Sequence, residues 1–163
     1  MDLSAEKISR MLGLVPHPIE GGRYRRTYTS ELALETAHGK RYSATAIYYL
    51  LEAGTFSEMH RLRSDEIFHF YCGDPVEMLQ LWPDGGARCV RMGHDLEAGQ
   101  QVQVTVPAGV WQGTRLVGDG KWALLGCTVS PGFEFEDYES GVNRELAAQW
   151  PQEEERIRAL TRR

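Results

Sequence analysis

The stretch Gly54-Thr55-Phe56-Ser57-Glu58-Met59-His60-Arg61-Leu62-Arg63-Ser64-Asp65-Glu66-Ile67-Phe68-His69 places a turn glycine, then a histidine, then a glutamate at the head of a β-rich run closing on Gly73. Alternate residues of a strand face one side, so Glu66, Phe68 and Phe70 share one face and Ile67, His69 and Tyr71 the other. A carboxylate beside two phenylalanines is costly unless it is paired, hydrogen-bonded or metal-bound. Glu66 is therefore the strongest single pointer to a functional lumen. His60 comes just before that strand, after the loop that Gly54 begins. Imidazole serves both as a metal ligand and as a general acid–base near neutral pH. His69 joins such a site only if a bulge turns the strand; a regular strand puts it in a second layer or an interface.

Working outward, Pro107-Ala108-Gly109-Val110-Trp111-Gln112 supplies a second tight turn that delivers Trp111 and Gln112 onto a strand. The Gln112 amide donates and accepts, so it suits a polar ligand or, weakly, a hard metal. Trp111 faces the other way. His17, His38 and His94 lie in Pro- or Gly-flanked loops without a spaced cluster and read as structural. There is no Ser–His–Asp order, P-loop, dinucleotide fingerprint or Cys/His zinc spacing.

At 163 residues the chain fits one domain, 1–163, large enough to bury a core without disulfides. A net charge of −5 and a pI near 5.6 argue against nucleic acid, whose phosphates need clustered cations. Arg23, Arg25, Arg26, Arg61 and Arg63 are local exceptions, read as solvated loop charges or contacts to an anionic ligand. No apolar run reaches the roughly 20 residues that span a bilayer, and the N-terminus lacks a secretory pattern. Cys72, Cys89 and Cys127 are odd in number and widely spaced, which suits inert buried thiols in a reducing cytoplasm.

A short helix is expected over 4–12, with Ser4 as N-cap, a Leu3–Ile8 staple and Gly13 as left-handed C-cap. From 23 to 136 the punctuation is all-β. The candidate strands are Tyr24–Thr29, Tyr42–Leu51, Glu66–Tyr71, Val76–Leu81, Ala87–Met92, Gln101–Pro107, Thr114–Leu116 and Trp122–Val129. Pro83-Asp84-Gly85-Gly86 marks a hairpin. Helix returns over 143–161, with Asn143 as a cap and Pro151 opening a second segment whose acids precede its arginines. Eight short strands at such spacing suggest a jelly roll or barrel.

These residues carry a resemblance to the cupin superfamily. Gly54, His60, Glu66 and Gly73 occupy positions of its first motif, with Leu62 in place of a second histidine. Pro107 and Gly109 match the second motif, where Gln112 replaces a histidine. The segments His17–Tyr28, Thr45–Leu51, His60–Pro75, Val106–Gly113 and Gly126–Glu139 resemble the fifth cupin family, once a domain of unknown function and related in fold to the rhamnose-pathway epimerase. Arg26 departs from the acidic residue expected there. The resemblance implies a double-stranded β-helix (cupin jelly roll), usually a homodimer, and no settled reaction.

Metal-binding cupins typically offer three histidines and one carboxylate. Here the matching positions give His60, Glu66 and Gln112, a set expected to hold a divalent metal weakly if at all. The expected function is binding of a small polar molecule such as a sugar derivative. Epimerase or isomerase chemistry would use His60 as base and Glu66 as partner or acid, with Gln112 on a substrate oxygen. The alternatives are a metabolite-binding module, its lumen lined by Phe68, Phe70 and Tyr49 or Tyr48, and a storage-like barrel; a metal-dependent oxygenase ranks last.

Overall fold

The computed structural model describes residues 3–163. Helix α1 (Ala5–Leu12) has the expected ends: Ser4 Oγ accepts the Lys7 N–H at 3.2 Å, and Gly13 turns left-handed at φ 64°. Strands β1 (Val15–Pro16) and β2 (Arg23–Thr29) follow, then the hairpin β3 (Ala33–Thr36) and β4 (Gly39–Tyr42). Next come β5 (Thr45–Glu52), β6 (Phe56–Arg61), β7 (Asp65–Gly73), β8 (Val76–Leu81) and β9 (Ala87–Met92). The β region ends with β10 (Gln103–Val106), β11 (Trp111–Leu116), β12 (Trp122–Ser130) and β13 (Glu139–Ser140). Helices α2 (Asn143–Gln149) and α3 (Glu154–Ala159) follow, joined through a single 3-10 turn at Pro151–Glu153.

Apart from the separate two-stranded β3-β4 hairpin, the strands form two sheets, β1-β2-β5-β12-β7-β10 and β13-β6-β11-β8-β9, with every strand pair antiparallel. Strands adjacent in sequence, such as β5 and β6 or β6 and β7, fall in different sheets. The chain thus winds back and forth between two layers, the jelly roll of a double-stranded β-helix.

The lumen between the sheets is packed at one end by Tyr49, Leu51, Phe68, Phe70, Val76, Met78, Met92 and Leu125. A second core covers the outside of the β6-containing sheet. There Met59, Leu79, Leu81 and Trp111 meet Leu146, Trp150, Ile157 and Leu160 of the C-terminal segment. Burying each such side chain contributes roughly 1.5–3 kcal/mol, which seats α2 and α3 firmly despite their shortness. On the other side, Ile8 of α1 packs with Leu14 on Leu50.

That second core explains the main departure from the sequence reading, which left the residues before Glu66 as a loop. Phe56–Arg61 is a strand, and His60 lies within it. Ser57, Glu58, Met59 and His60 are all buried, because lumen covers one face and helices the other. A strand buried on both faces loses the alternation that announces strands. The exposed hairpin β3–β4 was also missed, and it claims Tyr42, so β5 begins only at Thr45. Asn143 does not cap α2: the capping position is Val142, and the Asn143 amide donates to Thr161 Oγ1 at 3.1 Å. Leu3 remains exposed while Ile8 is buried.

Candidate functional site

The register of three neighbouring strands sets the levels of the lumen. Glu66, Val129 and Thr45 lie abreast, then Phe68, Cys127 and Ile47, then Phe70, Leu125 and Tyr49. From the facing sheet, β6 and β11 set His60 opposite Gln112. Where the first level meets this pair the lumen is hollow, leaving a cavity of about 390 Å³. His60, Glu66, His17, Glu20 and Tyr138 all stand on its wall, among apolar groups such as Ile47 and Val129.

Glu66 is buried, and loss of hydration is the main force raising its pKa to about 7. The nearby Glu20 charge pushes the same way; His60, Gln112 and the Cys127 thiol oppose it. The carboxyl is therefore poised between acid and carboxylate near neutrality. Gln112 donates its amide N–H to Glu66 Oε2 at 2.6 Å, while its own Oε1 is buried without a partner. An amide suits both protonation states, donating to the carboxylate and accepting from the acid once turned over. Histidine at this position could not do both without changing its own proton.

His60 Nδ1 lies 2.6 Å from the Glu58 carbonyl oxygen. A carbonyl only accepts, so Nδ1 carries the proton and Nε2 of the neutral ring carries the lone pair. The ring stacks on Tyr138, centroids 4.8 Å apart. Tyr138 and Ser140 donate to Glu58 Oε1 at 2.9 and 2.6 Å, and Arg162 donates to Oε2 at 3.2 Å. The neighbouring carboxylate of Glu58 is thus satisfied away from the cavity, and its backbone fixes the imidazole. Burial pushes the Tyr138 hydroxyl far above its usual range.

Other residues singled out in the sequence lie elsewhere. Gln112 sits behind Glu66, and the cavity wall does not include it. Phe68, Phe70 and Tyr49 are closed into the packed end of the lumen, with the Tyr49 hydroxyl donating to the Gly21 carbonyl at 2.7 Å. They are core, not ligand contacts, because the levels below Glu66 are filled. His69 faces outward and meets Thr128 Oγ1 at 3.1 Å and the Gln103 amide at 3.4 Å. The β7–β12 register does shift, but beyond His69, between the pairs Cys72–Leu124 and Phe70–Leu125, so no bulge turns His69 inward.

Nor do His60, Glu66 and Gln112 suit a metal. They offer one imidazole, a carboxyl that burial holds partly protonated, and an amide already engaged with it, while Leu62 on the wall is apolar. Among the described residues no group of three His, Cys, Asp or Glu side chains is placed to hold a metal ion. The thiols also differ from expectation: Cys89 is exposed and Cys72 half-buried, and only Cys127, on the cavity wall beside Glu66, is buried.

Sequence reasoning missed His17, Glu20, Glu58, Tyr138 and Arg162. His17 was read as a structural loop residue, yet it lines the cavity. Its signal was the following Gly21-Gly22 pair. Both have positive φ, 101° and 69°, and a Cβ at Gly21 would collide with the Phe56 carbonyl and Arg162. Only glycines let this segment press so closely against β6. Arg162 then locks it, donating to the Glu20 carbonyl at 2.9 Å. Arg25 and Arg26 stand at the rim, both exposed, Arg26 donating to the Phe133 carbonyl at 2.9 Å. The rim segment is anchored through Asp137, gripped by buried Arg41 at 2.8 and 2.9 Å, which holds that carboxyl below its usual range.

Comparison with known proteins agrees with this architecture. The chain is similar to a hypothetical protein from Leishmania major, at 32% identity with a TM-score of 0.91, covering 98% of this chain and 99% of that one. It is similar to a protein from Shewanella oneidensis at 36% identity, TM-score 0.90, covering 99% of each. An uncharacterised protein of Saccharomyces cerevisiae, YML079W, is 28% identical over 133 residues, 73% of this chain and 66% of that protein. A cupin 2 conserved barrel protein from Rhodopseudomonas palustris, 16% identical with a TM-score of 0.58 over 90% of this chain and 83% of that one, shares the fold alone. Residues 6–141 match the family described as Cupin superfamily (DUF985), and the chain belongs to that family.

Proposed function

We propose that the cavity binds a small polar metabolite such as a sugar derivative and that His60 and Glu66 move protons on it, the chemistry of an epimerase or isomerase. The observation carrying this reading is one hollow with two complementary groups on its wall. In the neutral imidazole the lone pair of His60 falls on Nε2, because Nδ1–H is committed to the Glu58 carbonyl, and Glu66 has a pKa of about 7. His60 Nε2 takes a proton from the carbon beside a carbonyl, the C–H electrons pass into the enol, and Glu66 delivers its proton to the carbonyl oxygen. Return of the proton from His60 to the neighbouring carbon, with Glu66 taking the proton of the adjacent hydroxyl, isomerises the sugar. Return to the same carbon after the enol has turned its other face to His60, with Glu66 taking its proton back, inverts that carbon. Such paired acid–base action is worth about 10²- to 10⁴-fold in rate, and no other co-reactant is needed.

A second reading, a metabolite-binding module without turnover, is supported by the aromatic wall that Tyr24, Phe133, Phe135 and Tyr138 provide. A cavity of about 390 Å³ weighs against a storage-like barrel with a filled lumen. Incubation with aldoses, ketoses and keto acids in deuterium oxide separates the two. The acid–base reading expects deuterium at carbon in at least one compound, with loss of at least about 100-fold in His60→Gln and Glu66→Gln. Binding without exchange by the wild type would leave only the module.

A further inference from the structure

The segment between β1 and β2 contributes a second pair of polar groups to the cavity, His17 and Glu20. His17 Nδ1 accepts the backbone N–H groups of Glu20 at 2.9 Å and Ile19 at 3.3 Å. Backbone N–H groups only donate, so Nδ1 holds the lone pair and Nε2 the proton. His17 is therefore the opposite tautomer of His60. Its side chain is only 4% exposed, held among Tyr24, Phe135 and Tyr138 with centroids at 4.8, 5.9 and 6.4 Å. Burial lowers its pKa, which keeps the ring neutral and the tautomer fixed.

Glu20 is equally constrained. Its Oε1 accepts the Ser57 hydroxyl at 2.6 Å, and its backbone carbonyl accepts the Glu58 N–H and Arg162. Its Oε2 lies 3.7 Å from His17 Nε2, beyond hydrogen-bonding range. Among the described residues neither atom hydrogen-bonds another protein group. A donor and an acceptor stand side by side, unsatisfied, on the wall of one cavity. A hydroxyl group matches both, accepting from Nε2–H and donating to Oε2.

The charges on the wall narrow the ligand further. The buried acids are Glu20 and Glu66, whereas the cations Arg25 and Arg26 stand at the exposed rim with Glu134. An anion driven inside would lose water and meet carboxyl groups; at the rim it would meet guanidinium groups.

We propose that His17 and Glu20 are ligand-positioning residues that clamp one hydroxyl of a neutral, hydroxyl-bearing ring, with any phosphate or carboxylate of the ligand left outside at Arg25 and Arg26. The inference rests on the functional reading above and adds the orientation and class of ligand.

The test uses the full chain and a panel of aldopentoses and aldohexoses, each with its terminal phosphate, together with inorganic phosphate, followed by calorimetry. His17→Asn keeps an acceptor for the Ile19 and Glu20 N–H groups but removes the Nε2–H donor; Glu20→Gln leaves the position filled but uncharged. The expected result is binding of at least one neutral sugar, weakened about tenfold by either substitution and not displaced by inorganic phosphate. Binding unchanged in both variants but lost in His60→Gln would overturn this inference and leave the functional reading standing. Displacement by inorganic phosphate would overturn the neutral-ring assignment. If no sugar binds the wild type, the hydroxyl clamp is overturned, while the functional reading still stands or falls on deuterium exchange with the ketoses and keto acids. Should His17→Asn fail to fold, Glu20→Gln and the ring ¹⁵N shifts of the wild type decide: a His17 proton on Nδ1 would overturn the clamp.

Discussion

Strand β7 points three side chains into one lumen, and they meet opposite fates. Phe68 and Phe70 are closed into a packed end among Leu125, Met78 and Met92. Glu66, at the head of the same strand and on the same face, borders a hollow shared with His60, His17 and Glu20. What separates the two ends is what lies across from them. Opposite the phenylalanines stand aliphatic and methionine side chains that fill space to close packing. Opposite Glu66 stand imidazole and carboxyl groups whose committed atoms point into the scaffold and whose free atoms border the void. One stretch of strand thus serves stability at one end and chemistry at the other.

Substitutions break that comparison in order of size. At the packed end, Phe68→Ala should cost about 3–5 kcal/mol in denaturant unfolding, since the neighbours cannot collapse into the space. A cost below about 1 kcal/mol would mean that this end is hollow too.

At the hollow end the cost should depend on pH. Glu66 has a folded-state pKa of about 7, raised from 4.5. Its contribution is fully present below the unfolded value and is lost as pH rises through 7, a swing on the order of 3 kcal/mol. Unfolding followed from pH 4.5 to 8 should show this decline in the wild type, and Glu66→Gln should flatten it. An unchanged slope in the variant would assign the decline to another group.

The smallest expected effect is at Tyr138→Phe. Glu58 Oε1 keeps the Ser140 hydroxyl and Oε2 keeps Arg162, so about 0.5–1.5 kcal/mol should be lost. A loss above about 3 kcal/mol would show that Tyr138 supports the hollow end as the phenylalanines support the packed one.

The contrast also explains what was legible in the sequence. Glu66 beside two phenylalanines announced itself through strand alternation, and Gly13, Gly54 and Gly73 punctuated the chain where turns occur. The helix caps of α1 and the hairpin between β8 and β9 were equally local. Strand β6 was hidden because Met59 faces the helices while His60 faces the lumen, leaving no solvent-facing side to mark a period. Glu20 was hidden because its partners lie far along the chain: Ser57 is 37 residues away and Arg162 is 142. Proximity of that kind follows from the closed fold, not from any local pattern. The same applies to Phe68, Phe70 and Tyr49, whose faces were read correctly but whose level in the lumen could not be.

The most direct measurement is the carboxyl ¹³C titration of Glu66 in uniformly labelled protein. A buried acid at the hollow end is expected to titrate with a midpoint near 7, well separated from the exposed glutamates. A midpoint near 4.5 would mean a solvated carboxylate facing bulk water, and would contradict the site built on it.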